Sequence, residues 1–101
     1  AHIREADIVK VHSLRRGAAE AIEAIAHGDL NSSDVVGKKI DEIKLPPGTA
    51  IGAIVRDSDV IMVHHDTVIK PEDHVILVVT NKRYVKQVEK LFQVNTKIFG
   101  I

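Results

Sequence analysis

The chain has 101 residues, is 45% hydrophobic and carries fourteen Lys plus Arg against fourteen Asp plus Glu, a formal net charge of zero. That length fits one folded domain, and the composition excludes bulk disorder and any global attraction to nucleic acid or anionic lipid. The lack of cysteine excludes disulfides, thiolate catalysis and cysteine-ligated zinc or iron–sulfur centres.

The expected elements follow in chain order. AHIREAD at the N-terminus has no signal-peptide apolar segment, and a start without Met predicts a piece of a longer protein. DIVKVHSL, residues 7–14, alternates in the β-branched manner of a strand, which Arg15-Arg16-Gly17 would end. AAEAIEAIA, residues 18–26, supports two readings. Ala18, Ala21, Ile22, Ile25 and Ala26 recur at helical spacing, yet Gly17 and Gly28 bracket the run like a hairpin strand. Residues 29–33 form a polar connection. Ser32 or Ser33 then caps a short helix through Ile43, with Val36, Ile40 and Ile43 as its apolar stripe and Gly37 as its weak point. Pro46-Pro47 forces an extended exit.

Strands are expected at 49–56, 60–64 and 74–80, the first two joined as a hairpin by Asp57-Ser58-Asp59. Thr67-Val68-Ile69 is extended and leads into a turn at Lys70-Pro71-Glu72-Asp73. Both faces of the last strand are apolar, which predicts a central strand covered on each side. VILVV within it falls far short of the ~18 residues of a membrane span. Thr80 or Asn81 caps a final helix at 82–92, and 95–101 is a tail whose Ile98 and Phe99 offer a docking segment. The domain is expected to span 1–101, with its core in 7–92 and its tail in 93–101. So small a domain has limited surface to bury, and packing on a partner is a natural source of added stability.

Polar residues form no evident catalytic cluster. His64-His65-Asp66 has metal-binding side chains, but adjacent strand residues point to opposite faces. Asp57 and Asp59 read as turn residues rather than an acid–base pair. No serine has a G-x-S-x-G setting, and no nucleotide-phosphate fingerprint occurs. Lys82, Arg83, Lys86 and Lys90 line one side of the last helix, a solvated face or a phosphate-binding one. Few aromatics are available to stack bases. The reading is a non-enzyme with no metal site and no nucleic-acid partner.

Several strings appear in a specific order: DIVKVHSLRRGAAEAIEAIAHGD, then VVGKKIDEIKLPPGTAIGAIVR, then Ile69-x-Pro71-x-Asp73 before the last strand. Over residues 3–92 they resemble RCK-C domains, the C-terminal modules of regulatory subunits of bacterial Trk-type potassium uptake. The resemblance implies an α+β fold with an N-terminal β-hairpin, a short helix, antiparallel strands and a C-terminal helix. It makes 20–27 a strand paired with 8–14, and that reading is adopted over the helix. It implies a dimeric, non-catalytic module of a cytosolic gating subunit on the inner face of the membrane. Partners would be RCK-N domains, which carry the NAD(H) or ATP/ADP site in the parent protein, and an integral-membrane Trk subunit. No cofactor is expected in this segment itself. An alternative is a small-effector-binding module, with Arg56, Ile69, Glu72 and Asp73 as the pocket; a nucleic-acid-binding module ranks below both. For Arg56 the reading also includes a hairpin salt bridge to Asp57 or Asp59. Ile51, Ala53, Val55, Ile61, Val63, Val75, Leu77 and Val79 are the expected core. Relatives commonly place Gly immediately before the Asp of the last turn, where this chain has Glu72, which leaves the turn type open.

Overall fold

A computed structural model describes residues 7–14 and 19–94. The expected stop at Arg15-Arg16-Gly17 and the tail at 95–101 lie outside the described residues. Five strands form one sheet: β1 (Asp7–Leu14), β2 (Ala19–Ile25), β3 (Thr49–Arg56), β4 (Asp59–Met62) and β5 (His74–Val79). Their order is β1-β2-β5-β3-β4, and every neighbouring pair is antiparallel. A 3-10 turn at Lys82–Tyr84 leads into the one α-helix of the described residues, α1 (Val85–Leu91). The result is the α+β arrangement expected from the sequence.

β2 settles the ambiguous alanine-rich run as a strand. Ile22, Ala24 and Ala26 are buried in alternation, a period of two rather than 3.6. Ladders to β1 on one side and β5 on the other give β2 more partners than a nine-residue helix would find, which overrides alanine's weak helical preference.

The helix expected at 33–43 does not form. Ser33 Oγ does accept from the amides of Val35 and Val36, both at 3.0 Å, as a helix cap would. The chain then turns through Gly37 at φ +83°, a left-handed conformation that ends any helix. Beyond it the backbone runs extended: Gly37 donates to Ile69 (2.7 Å), Ile69 to Lys38 (3.1 Å) and Ile40 to Thr67 (2.9 Å). Pairing with 67–69 outcompetes a glycine-weakened helix, and only a 3-10 turn survives at Ile40–Glu42. The apolar stripe still reaches the core, with Val35, Val36 and Ile43 buried.

Two other boundaries shift. The hairpin's second strand covers 59–62 rather than 60–64, closed by a two-residue turn with Asp57 at φ 57°. The last helix begins as a 3-10 turn, its start capped by Asn81 Oδ1 accepting from the Arg83 amide at 3.1 Å.

One face of the sheet holds the core. Ile22, Ala24, Ile51, Ile54, Val75, Leu77 and Val79 pack with Val88 and Phe92 and with Val35, Val36 and Ile43. Ile61 and Val63 pack against this cluster half-buried. Ala53 and Val55 do not join it. The register slips between Ile51 and Ala53, so Gly52 is a bulge residue and Ile54 takes the core position instead. β5 is central as expected but, among the described residues, covered on one face alone. On the other, strand registry builds three rows: Ala21, Val78, Ala50; Glu23, Ile76, Ala53, Met62; and Ile25, His74, Val55, Val60.

Candidate functional site

At one end of the sheet the residues of the expected pocket converge from three segments. Arg56 ends β3 on the core side and reaches across to Asp73, the residue just before β5. Its Nε donates to Asp73 Oδ1 at 2.9 Å and its Nη2 to Oδ2 at 2.8 Å, a two-pronged pair that matches the planar guanidinium to the carboxylate. Nη2 also donates to the Val68 carbonyl at 3.1 Å. The Lys70 amide donates to Asp73 Oδ2 at 2.8 Å, closing the 70–73 turn. Asp73 is 1% exposed while the Arg56 side chain is 26% exposed, so the carboxylate is interior and the guanidinium spans the boundary. Donation to the Asp73 carboxylate raises the Arg56 pKa above its ordinary value, and the charges of Asp73 and Asp57 add to it. The hairpin salt bridge expected to Asp57 or Asp59 is thus replaced by a longer-range partner. Ile69 lies buried beneath the turn.

This geometry is a clasp. Both carboxylate oxygens of Asp73 and two of the guanidinium nitrogens are committed to each other and to backbone groups, so the pair fixes β3, β5 and the 68–70 segment together. Beside it opens a cavity of about 380 Å³ whose walls include Leu30, Val36, Val68, Ile69 and Pro71. Leu30 is 68% exposed at its mouth. The floor is apolar, and Asp29, Asn31 and Lys70 stand at its polar edges. A second cleft of about 430 Å³ separates α1 from the Pro46-Pro47 exit, bordered by Lys44, Gln87 and Lys90.

The histidine-rich tripeptide stays apart. His64 donates its amide to Thr67 Oγ1 at 2.9 Å, and His65 Nδ1 stands 3.7 Å from Asp41 Oδ2. Among the described residues no group of three or more His, Asp or Glu is arranged to hold a metal ion. Of the basic helix residues, Arg83 lies over the Tyr84 ring at 5.5 Å, and Lys82, Lys86 and Lys90 face solvent.

Comparison with known proteins places this geometry. The TrkA-C domain family matches residues 30–93. The chain belongs to the TrkA-C domain family. It is 63% identical over 92 residues to a Trk system potassium uptake protein TrkA of Vibrio alginolyticus, covering 91% of this chain and 20% of that protein. The TrkA of Halomonas elongata is 60% identical over 98 residues, 97% of this chain and 21% of that protein. That of Haemophilus influenzae is 46% identical over 92 residues, covering 91% and 20%. The chain thus spans about a fifth of the length of these relatives.

For a TrkA-C domain, the turn before β5 now has a definite form. Glu72 sits at φ 69°, the left-handed conformation that glycine adopts at no steric cost. The backbone shape that a Gly favours is therefore kept with a long side chain in its place. Two contacts hold it: the Glu72 amide donates to the Ala26 carbonyl at 2.7 Å, and its Oε2 meets His27 Nδ1 at 2.8 Å. Sequence reasoning had no access to the roles of His27, Val68 and Lys70. His27 and Glu72 are 45 positions apart, and the contributions of Val68 and Lys70 are backbone groups without side-chain signature. The Lys70–Asp73 spacing of three, which suits a side chain capping its own turn, was the one legible clue.

Proposed function

We propose that this chain is a non-catalytic regulatory and dimerisation domain of the cytosolic gating subunit of a Trk-type potassium uptake system. The observation that carries the proposal is 63% identity across 91% of the chain to a Trk system potassium uptake protein TrkA. The clasp supports it physically: a domain whose polar centre is an internally committed Arg–Asp pair is suited to holding shape rather than to turning over substrate. In this reading RCK-N domains elsewhere in the parent protein bind NAD(H) or ATP/ADP, and an integral-membrane Trk subunit conducts the ion. The assembly works peripherally at the inner face of the membrane. A stiff dimeric brace between nucleotide-responsive neighbours converts their movement into work on the gate, and a coupling of ~1–3 kcal/mol shifts a two-state equilibrium substantially.

The deciding experiment is potassium-uptake rescue by the full parent protein with and without residues 1–101, in cells lacking the regulatory subunit. Transport complexes that assemble but no longer respond to nucleotide are the expected result. Intact regulation without the segment would refute it.

The cavity beside the clasp favours a second reading, a small-effector module. Of the four expected residues Ile69 lines this cavity, while Arg56, Glu72 and Asp73 stand outside its lining and would act through the turn they hold, with the apolar floor taking a flat or aliphatic group. Saturable binding in a screen of nucleotides and monovalent and divalent cations supports this reading; a flat response at millimolar ligand removes it.

A further inference from the structure

We propose that the cleft between α1 and the Pro46-Pro47 exit is a docking site for an extended acidic segment of a partner protein. Lysines of α1 pair with the carboxylates of that segment, and the cleft takes one apolar side chain beside them. The site shares no lining residue with the cavity beside the clasp, and the regulatory reading does not depend on it.

Charge is unevenly spread over the chain. Residues 33–47 and 80–94 carry seven Lys or Arg against four Asp or Glu, a surplus of three in a chain whose formal charge is zero. Two of those carboxylates are already engaged. Glu42 Oε1 accepts from the Lys39 amide at 2.8 Å, and Asp41 Oδ2 lies 3.7 Å from His65 Nδ1. Among the described residues none of Lys44, Lys82, Lys86 or Lys90 forms a salt bridge, and all four are exposed. Their charge is open to carboxylates from outside the chain. Asp34 borders both the cleft and a shallower extension of about 300 Å³, and Glu42 borders the extension. These carboxylates repel an acidic segment that would continue into the extension, which sets the register: acidic residues along α1, the apolar one in the cleft.

The cleft itself is apolar inside and basic at its rim. Leu45 and Leu91 pack half-buried against the core and, with Pro46 and Pro47, line the cleft between Lys44 and Lys90. Its proline wall is preformed. The Thr49 amide donates to the Pro46 carbonyl at 3.2 Å, and the Thr80 amide and Oγ1 both donate to the Gly48 carbonyl at 2.9 Å, tying the exit to the end of β5. An apolar centre with a charged rim is the anatomy of a protein interface. Lysine spacing selects the occupant. Lys86 and Lys90 are one helical turn apart, ~6 Å along α1, and Lys82 precedes them by the same four residues. A single phosphate cannot meet a line of ammonium groups so spread. Alternate side chains of an extended peptide stand ~6.8 Å apart, close to that repeat. A flat lipid surface would leave the concave apolar floor unfilled, whereas an apolar residue two positions beyond an acidic one enters it past Lys90.

The test is fluorescence anisotropy with the 101-residue chain and a fluorescein-labelled synthetic peptide of glutamates alternating with serines, one central glutamate replaced by phenylalanine. Saturable binding is expected, weakening by about 10-fold between about 50 and about 300 mM salt. Lys86→Glu combined with Lys90→Glu, and separately Lys44→Glu on the facing wall, are expected to weaken it by about 10-fold or more. Lys70→Glu, beside the other cavity, is expected to leave it unchanged. The same peptide with serine in place of phenylalanine is expected to bind about 10-fold less tightly, as loss of an interface anchor does. If the double variant on α1 loses its circular-dichroism spectrum, Lys44→Glu decides. Equal binding of the two peptides, or indifference to the lysine reversals, overturns the anchored site. Binding of phosphatidylserine vesicles or inorganic tripolyphosphate without binding of the peptide overturns it too. So does a flat response to all three probes, which leaves the regulatory reading standing.

Discussion

Two turns at the same end of the sheet hold a non-glycine residue in the left-handed region, and they maintain it differently. Asp57, at φ 57°, sits in the exposed hairpin between β3 and β4. Its short polar side chain is one of the few that tolerates this conformation, and the flanking ladder from Arg56–Asp59 to Ala53–Met62 closes the turn. Glu72, at φ 69°, has no such tolerance. It is held by neighbours: the Ala26 carbonyl, the His27 ring and the Arg56–Asp73 clasp one residue on. The hairpin turn is locally determined, whereas the second turn is imposed by contacts from residues 17 and 45 positions away.

The largest effect should come from cutting the second turn's support. Arg56→Ala leaves the 1%-exposed Asp73 carboxylate without its counter-charge. Breaking one side of a buried pair costs ~3–5 kcal/mol, and the partial exposure of Arg56 places this case near the lower end, ~3 kcal/mol. Urea unfolding should show that loss. Asp73→Asn, which keeps an oxygen acceptor for the Lys70 amide, should cost less. A loss under ~1 kcal/mol for Arg56→Ala would mean that the clasp does not hold the turn.

Next in size is the strain itself. Glu72→Ala removes the His27 contact but keeps a Cβ in the left-handed region; Glu72→Gly removes both. The glycine variant should therefore be the more stable of the two by ~1 kcal/mol, read as a difference in unfolding free energy. At Asp57 the alanine and glycine substitutions give the control. Asp already copes with this conformation, so Asp57→Gly should lie within ~0.5 kcal/mol of the original, and Asp57→Ala should be the costlier change. Similar responses at both positions would erase the distinction between a turn made by its own residues and one made by its surroundings.

Legibility in the sequence follows the same division. Alternating β-branched residues place β3 and β5, and turn chemistry places the 57–58 hairpin, because these depend on neighbours in the chain. The centrality of β5 was readable from apolar residues on both its faces, although no described residue covers the second face. Readings failed where distant backbone competed. The apolar stripe at 36–43 and a serine cap both argued for a helix, but the partner segment at 67–69 lies beyond local pattern and Gly37 tipped the balance. The Gly52 bulge, which exchanged Ala53 for Ile54 in the core, likewise exists only against the register of β5. At the site, Arg56 and Asp73 were identified as neighbours through family resemblance. Composition gave no sign that their charges would be spent on each other.

The smallest effect concerns a third turn, 29–32, in which one carboxylate accepts three hydrogen bonds. Asp29 Oδ1 accepts from the amides of Asn31 (2.9 Å) and Ser32 (3.0 Å) and from Ser32 Oγ (3.1 Å). These bonds favour the ionised form, with the Asn31 amide the leading cause, and lower the Asp29 pKa below its ordinary 3.8. Since the folded state holds this proton less tightly than the unfolded chain, the stabilisation is complete above the ordinary carboxylate value. It fades as pH falls through the lower folded one. The Asn31 and Ser32 amide resonances, followed by NMR from about pH 5 to about pH 2, should move together with a midpoint below 3.8. Asp29→Asn should abolish that step while leaving the resonances of the 70–73 turn in place. Because Asp29 borders the cavity beside the clasp, a 70–73 turn that moved with it would join the two into one cooperative unit. Independence would show that the two turns bordering the cavity hold their shapes separately.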